Sequence, residues 1–400
     1  IQPGDYICYD PKTVVTESGF LKSRFIDDKG SVACLLTSLK IMKDKGLKPQ
    51  YKTKFFISVF EEVGHGAAYV PSDVSEVIAV DMGCIGLDLT CTEYDVSICA
   101  KDSGGPYDYL MTSKLIELAK ENGADFILGS DPDADRVGIM VRTKEDDFVV
   151  ISGNQTGVLL LDYLIGAMRR AGKLPEHPYF LKTIVTTEMA RKVAEANGVT
   201  CCDTFTGFKF MAEKMNELES AGKNTVIFSY EESYGYMIGH YVRDKDAVTA
   251  SLLLTEMAAW YHAQGMTLFD ALQALYEKYG WYGEKTHNLV MPGLDGLEKM
   301  AALMQSLRAQ PPVEIGGVTV AQYKDYSDGT VRDAATGAIT PMPLSGSNVL
   351  RFELTDGSHI VVRPSGTEPK IKVYILTKGA DAAERDANLE KYSAWVKTLA

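Results

Sequence analysis

Three aspartates at alternate positions, Asp131, Asp133 and Asp135, lie in Ser130-Asp131-Pro132-Asp133-Ala134-Asp135-Arg136, between Phe126-Ile127-Leu128 and Val137-Gly138-Ile139-Met140-Val141. No regular helix can pass through this stretch, because Pro132 fixes its own φ and disfavours helix in the residue before it. The flanking runs have the length and apolar content of buried strands, so the acids belong to a loop joining two strands. In an extended or looped backbone this spacing lets all three carboxylates turn toward one point. They repel one another there unless a cation shares them. An all-oxygen donor set suits a hard divalent ion, and Mg²⁺ with one position left for a phosphate oxygen is the arrangement expected. A solvated acidic turn is the competing reading; it leaves three charges beside apolar strands uncompensated.

The 400 residues are 46% hydrophobic and 24% charged, enough for full cores in about two to four domains. A formal charge of −13 excludes nucleic acid and anionic membrane as bulk partners. Any phosphate must be held by local Arg, Lys and backbone N–H groups. Seven irregularly spaced cysteines, including the adjacent Cys201-Cys202, fit a reducing, cytoplasmic setting and no disulfide framework. No apolar run is long enough to cross a bilayer, and no signal peptide is evident.

Along the chain, residues 5–9 alternate like a strand. Val32, Leu35, Leu36, Leu39 and Met42 recur with the period of a buried helix face, predicting a helix from Ser31 to Lys45 closed by Gly46. Strands are predicted over 54–60 and 77–80, delivering Glu61-Glu62 and Asp81 at their ends. Asp27, Glu62 and Asp81 are candidate metal ligands, with Glu61 as a carboxylate base activating a metal-bound water. A helix over 107–121 closes at Asn122-Gly123.

The motifs Phe25-Ile26-Asp27-Asp28-Lys29-Gly30, Glu61-Glu62-Val63-Gly64-His65-Gly66, Val80-Asp81-Met82-Gly83 and Lys101-Asp102-Ser103-Gly104-Gly105-Pro106-Tyr107-Asp108-Tyr109 resemble the dinuclear metallo-aminopeptidases of the tetrahedral, glutamyl aminopeptidase type. The resemblance covers residues 1 to about 122. It implies Asp27 as a bridging ligand, Glu62 and Asp81 as ligands to one Zn²⁺ or Co²⁺ each, Glu61 as general base, and a peptide substrate. The two His ligands of that family have no counterpart in this stretch.

Beyond residue 123 helices and strands alternate: strands over 126–129 and 137–142, helix 155–171, strand 180–186, helix 188–197, strand 199–202, helix 209–220 and strand 224–229. This predicts mainly parallel pairing with helices on both faces. Gly153-Asn154-Gln155-Thr156-Gly157 opens one helix, and Thr206-Gly207 sits between a strand and a helix, where backbone can approach a ligand closely. Tyr230-Glu231-Glu232-Ser233-Tyr234-Gly235-Tyr236 offers carboxylate and hydroxyl groups suited to vicinal sugar hydroxyls. In Arg363-Pro364-Ser365-Gly366-Thr367-Glu368-Pro369-Lys370, the Arg, Ser, Thr and Lys side chains and the N–H groups near Gly366 suit a phosphate dianion. Each loop alone reads equally as a turn; four in this order do not.

Together these loops resemble the α-D-phosphohexomutase superfamily, in its phosphoglucomutase and phosphopentomutase-like branch, over about 124–400. The resemblance implies that Asp131, Asp133 and Asp135 hold Mg²⁺ and that Arg136 contacts the reactive phosphate. Thr206, Gly207, Glu231 and Ser233 would bind the sugar, and Lys245 would approach the reacting oxygen. Arg363, Ser365, Gly366, Thr367 and Lys370 would hold the other phosphate. The implied reaction moves a phosphoryl group between the 1 and 6, or 5, positions of a sugar phosphate through a phosphoserine in a Ser-His-Asn-type loop. That loop is absent here: the one Ser-His pair, Ser358-His359, precedes Ile360 in a strand.

The chain thus reads as a chimera of two incomplete enzymes. The expected class is α/β, with mixed or parallel sheets flanked by helices in successive domains and a C-terminal α+β domain. Expected boundaries are 1–122 (aminopeptidase-like), 123–176 (metal loop), 177–284 (sugar binding) and 285–400 (phosphate binding, with strands near 348–354, 358–362 and 371–376 between helices over 295–308 and from about 381). The partner expected is a small phosphosugar. Peptide hydrolysis and non-catalytic phosphosugar binding are the alternatives.

Overall fold

The computed structural model describes residues 12–15, 17, 21–22, 29–49, 52–55, 57, 101–102, 105–106, 109–131, 134–239, 242–291, 296–365 and 370–399. Contacts divide the chain into two compact units, 1–98 and 99–400.

In the first unit the predicted helix forms over Lys29–Asp44, and Gly46 takes the positive φ (64°) of a helix terminator. Its apolar stripe is not the buried face expected: Leu36 and Leu39 are 55% and 39% exposed. Among the described residues of this unit the only strands are the two-residue pair Val14–Val15 and Leu21–Lys22, too little to cover a helix face. Residues 54, 55 and 57 are irregular, not the strand predicted there. The strands expected over 5–9 and 77–80 lie outside the described residues.

The second unit opens with the short pair Lys101–Asp102 and Gly105–Pro106 and the helix Tyr109–Glu121. Phe126–Ser130, Val137–Arg142 and Phe148–Ile151 then form a three-stranded sheet that no described strand before residue 123 joins. Its pairing is antiparallel throughout, the exception to the mainly parallel pairing expected beyond residue 123. The reason is the length of the link: a parallel crossover needs a dozen or more residues, and only Asp131–Arg136 intervene.

Parallel order begins with the next sheet, where Thr200–Thr204 and Asn224–Tyr230 flank His177–Thr183, both in parallel. Tyr236–Ile238 adds an antiparallel edge. Helices Gly153–Arg170, Glu188–Ala196, Phe208–Ser220, Ala247–His262 and Leu268–Tyr279 surround it. The first is entered through a reciprocal cap: Gln155 N–H donates to Ser152 Oγ, and Ser152 N–H to Gln155 Oε1. Leu159, Leu160, Leu161, Phe180, Phe228 and Tyr230, all fully enclosed, form the core between this helix and the sheet. The strand predicted over 180–186 ends at Thr183, because the Thr183 and Thr186 hydroxyls bond at 2.8 Å across a turn and Thr187 caps the next helix.

Trp281–Val290 carries the chain into an eight-stranded sheet, antiparallel in every pairing. Its centre is Leu350–Leu354, His359–Pro364 and Lys370–Gly379. Helices Gly296–Ala309 and Ala382–Val396 cover it, burying Met304, Tyr392 and Val396 on Phe352, Ile360 and Ile375. This is the α+β domain expected. Among the described residues no helix is long and apolar enough to cross a membrane.

Candidate active site

The acidic loop is the turn of the first hairpin. Asp131 N–H donates to Arg136 O at 3.2 Å, Ala134 N–H to Asp131 O at 3.0 Å, and Arg136 N–H to Asp131 Oδ1 at 2.9 Å. The sharp reversal puts Ala134 at φ 53°, a conformation costly for a residue with a Cβ and held by its surroundings. Those surroundings include Ala247, whose N–H donates to Ala134 O at 3.0 Å from the first turn of a helix. Asp135 faces two cations: Lys245 Nζ lies 2.6 Å from Oδ2 and Arg136 Nε 3.4 Å from Oδ1. Oδ1 is buried and accepts no hydrogen bond. An orphaned carboxylate oxygen in an all-carboxylate loop fits a hard cation better than a zinc-like one. Asp133 lies outside the described residues.

The sugar-binding candidates reach the same place by backbone pairing. Arg136 and Gly235 form an isolated antiparallel bridge, and Val137 N–H donates to Tyr234 O at 3.2 Å. The loop between Glu231 and Gly235 is closed by Glu231 N–H on Gly235 O at 2.9 Å. Gly235 is where the Lys245 stem passes: a Cβ there would meet Phe208 Cε2 at 2.9 Å and Lys245 Cδ at 3.0 Å. Lys245 is drawn in two directions. Burial pulls its affinity for a proton down, and Asp135 more than restores it, so its charge is held above the usual lysine range.

Glu231 is buried, and its Oε1 accepts the Gly207 N–H at 2.5 Å. Gly207 is the N-cap of Phe208–Ser220 with φ 115°, a conformation glycine adopts freely. A carboxylate on the free N–H groups of a helix start is favoured by the helix dipole. Thr206 and Ser233 are half-buried in the two loops that this bond joins. Glu232, named in the motif but given no role from sequence, is pushed up to about 7 by burial and then by the Glu231 charge, against the pull of Lys372 and Arg363.

The phosphate-binding candidates lie on the C-terminal sheet. Arg363 ends the strand His359–Pro364 and pairs in register with Lys372. It lies near Tyr374, whose hydroxyl is pushed above its usual range by burial and then by Glu232, against the pull of Arg363. Ser365 N–H donates to Lys370 O at 2.8 Å, closing the base of the loop; Gly366 and Thr367 lie outside the described residues. Lys372 and Tyr374 were missed in the sequence. Their signal was present: they continue the alternation from Lys370 on one face of a strand. The structure therefore brings Asp131, Asp135, Arg136, Gly207, Glu231 and Lys245 into one linked set, with Arg363 within electrostatic reach of Glu232. Asp27, Glu61, Glu62 and Asp81 lie outside the described residues.

A second charged cluster, also not singled out from sequence, surrounds Lys182. Lys182 is fully buried, with Nζ 3.2 Å from Glu188 and 3.1 Å from Asp203. Arg191 binds the same two carboxylates at 2.9 and 2.6 Å, and Arg351, from the C-terminal sheet, approaches Glu188 at 3.5 Å. These cations outweigh the burial penalty on Glu188 and hold its carboxyl far below the usual range.

Comparison with known proteins divides the chain. Residues 152–279 match the phosphoglucomutase/phosphomannomutase alpha/beta/alpha domain III, and residues 299–388 the C-terminal domain of the same family. Residues 1–147 match M42 glutamyl aminopeptidase. A phosphoglucomutase of Staphylococcus aureus strain N315 is 35% identical over 287 residues, 72% of this chain and 51% of that protein. The chain spans about half the length of the curated relatives it matches. Among solved structures, the open form of the Paramecium phosphoprotein pp63/parafusin, a phosphoglucomutase, matches with TM-score 0.47 and 20% identity, over 69% of this chain and 44% of that one. A phosphomannomutase-like protein from Thermus thermophilus matches with TM-score 0.45 and 19% identity, over 72% and 49%.

Proposed function

Because its matched domains, residues 152–279 and 299–388, place the chain in the α-D-phosphohexomutase superfamily, we propose that it acts on a small phosphosugar by mutase-type phosphoryl transfer. The bridge between Arg136 and Gly235 carries this reading, since it joins the acidic loop to the Glu231–Gly235 loop. Asp131, Asp133 and Asp135 would hold Mg²⁺, which supplies charge neutralisation to a transferring phosphoryl group.

The chain's own residues do the rest. Glu231 and Ser233 accept and donate hydrogen bonds to vicinal hydroxyls, with Thr206 and Gly207 lining the same edge. Lys245 lies between Asp135 and the sugar loop, where its ammonium can hold or give a proton at the reacting oxygen. Arg363, Ser365, Gly366, Thr367 and Lys370 fix the phosphate at the far end of the sugar. Residues 124–400 contain no Ser-His-Asn sequence, so the phosphoseryl group that such a reaction uses is not supplied from this stretch.

The test is Mg²⁺-dependent conversion of glucose 1-phosphate to the 6-phosphate, followed by phosphorus NMR with a glucose bisphosphate primer. Turnover supports the mutase reading. Binding of both sugar phosphates without turnover would assign phosphosugar binding alone, and neither would contradict the reading. The M42 match favours peptide hydrolysis as a second reading for residues 1–147. Under it, Zn²⁺- or Co²⁺-stimulated release of N-terminal residues is abolished by Glu61→Gln.

A further inference from the structure

We propose that Asn348 is a direct donor to the phosphate gripped by Arg363, held in place by an Arg308–Asp325 bracket; this rests on the phosphate grip proposed above. An open cleft of about 330 Å³ is lined by Arg363, Pro364, Ser365, Ser347, Asn348 and Met300. Its volume falls in the range of small-molecule sites, roughly 300–1,000 Å³. The sheet brings the 347–348 and 363–365 stretches together. Leu350 pairs with Val362, so the residues just before one strand and just after the other leave the sheet at the same end.

Asn348 presents a defined group there. Its Oδ1 accepts from Arg308 NH2 at 2.5 Å. A guanidinium has donors only, so this contact fixes which way the amide is turned. The oxygen is tied back, and the NH₂ is the end left for a ligand. Arg308 is itself fixed, with Nε 2.8 Å from Oδ2 of Asp325. Asp325 is 6% exposed, and its other oxygen takes the Ser327 N–H and hydroxyl at 2.9 and 2.7 Å. A buried carboxylate thus holds the guanidinium, and the guanidinium holds the amide. A phosphate dianion has three terminal oxygens. A planar guanidinium can take two of them, and an NH₂ donor lining the same cleft suits the third.

The experiment is calorimetric titration of the full chain with inorganic phosphate and with glucose 6-phosphate, using wild type, Arg363→Ala, Asn348→Ala and Asn348→Asp. Arg363→Ala should weaken both at least about a hundredfold. Asn348→Ala should weaken both by the same factor, at least about tenfold, the worth of one hydrogen bond to a charged group. Asn348→Asp keeps an acceptor for Arg308 and therefore the bracket, yet sets a carboxylate against the phosphate; it should weaken both at least about a hundredfold at an unchanged melting temperature. It decides the question if Asn348→Ala fails to fold. If wild type binds and Arg363→Ala weakens binding as expected, while the Asn348 variants stay within twofold of wild type, this inference falls and the phosphate grip stands. A loss for glucose 6-phosphate alone would place the amide on the sugar and overturn it too. Wild type that binds neither ligand removes the phosphate grip, and the inference with it.

Discussion

Lys245 Nζ sits 2.6 Å from Oδ2 of Asp135, so an ammonium group already neutralises part of the acidic loop. A divalent cation entering that loop meets a resident positive charge. Lys245→Met removes it and should tighten Mg²⁺ binding about tenfold, or ~1.4 kcal/mol, as expected for a nearby charge at a partly solvated site. Calorimetric titration with Mg²⁺ alone checks this, and unchanged or weaker affinity contradicts it.

Glu231 and Gly207 are joined by one charge-assisted hydrogen bond at a helix start. Glu231→Ala strands the Gly207 N–H and removes the anion from the helix dipole, at a cost of about 2 kcal/mol. Glu231→Gln keeps an acceptor and should cost about half as much. Scanning calorimetry of the two variants should rank them in that order; equal melting temperatures would deny the bond its weight.

That bond shows where sequence reasoning stops. Thr206-Gly207 and Glu231-Ser233 were each recognisable as ligand-facing turns from composition alone. Their contact was not, because it spans 24 residues and depends on the order of three parallel strands. Gly207 and Glu231 both follow the C-terminal ends of strands in that sheet, where loops of parallel sheets converge. The antiparallel hairpin around Asp131 was legible in the shortness of its link, and the helix–strand alternation beyond it pointed to the parallel pairs of the next sheet. Trp281–Val290 escaped notice because the consecutive polar residues Glu284, Lys285, Thr286, His287 and Asn288 break the apolar alternation that marks a strand.

Lys182 is fully buried among Glu188 and Asp203. Lys182→Met keeps the bulk and leaves those two carboxylates to Arg191 and Arg351. Breaking a buried pair from one side is worth about 3–5 kcal/mol, and the pair is shielded from salt. Urea unfolding should show that loss at both low and high ionic strength. A loss that vanishes in high salt would mean the cluster is solvated.

Glu284 lies on the strand that enters the C-terminal sheet. Burial pushes its carboxyl up to about 7, against a Thr187 hydrogen bond and the charges of Arg385 and Lys182. The folded protein therefore binds this proton more tightly than the unfolded chain. Its contribution is fully present below the usual carboxylate range and is lost as pH rises through about 7. Glu284→Gln should flatten the fall in stability between pH 5 and 8 and gain about 2 kcal/mol at the upper end. Urea midpoints at the two pH values measure it, and parallel losses in both proteins would contradict it.

The central claim is that residues 124–400 grip a phosphosugar between Glu231 and Arg363. Titrating glucose 6-phosphate in Mg²⁺ into wild type and Arg363→Ala by calorimetry tests it most directly. The account predicts saturable binding by wild type that Arg363→Ala weakens at least about a hundredfold, the scale of a lost charge-assisted bidentate contact. Equal binding by both proteins, or none by either, would contradict it.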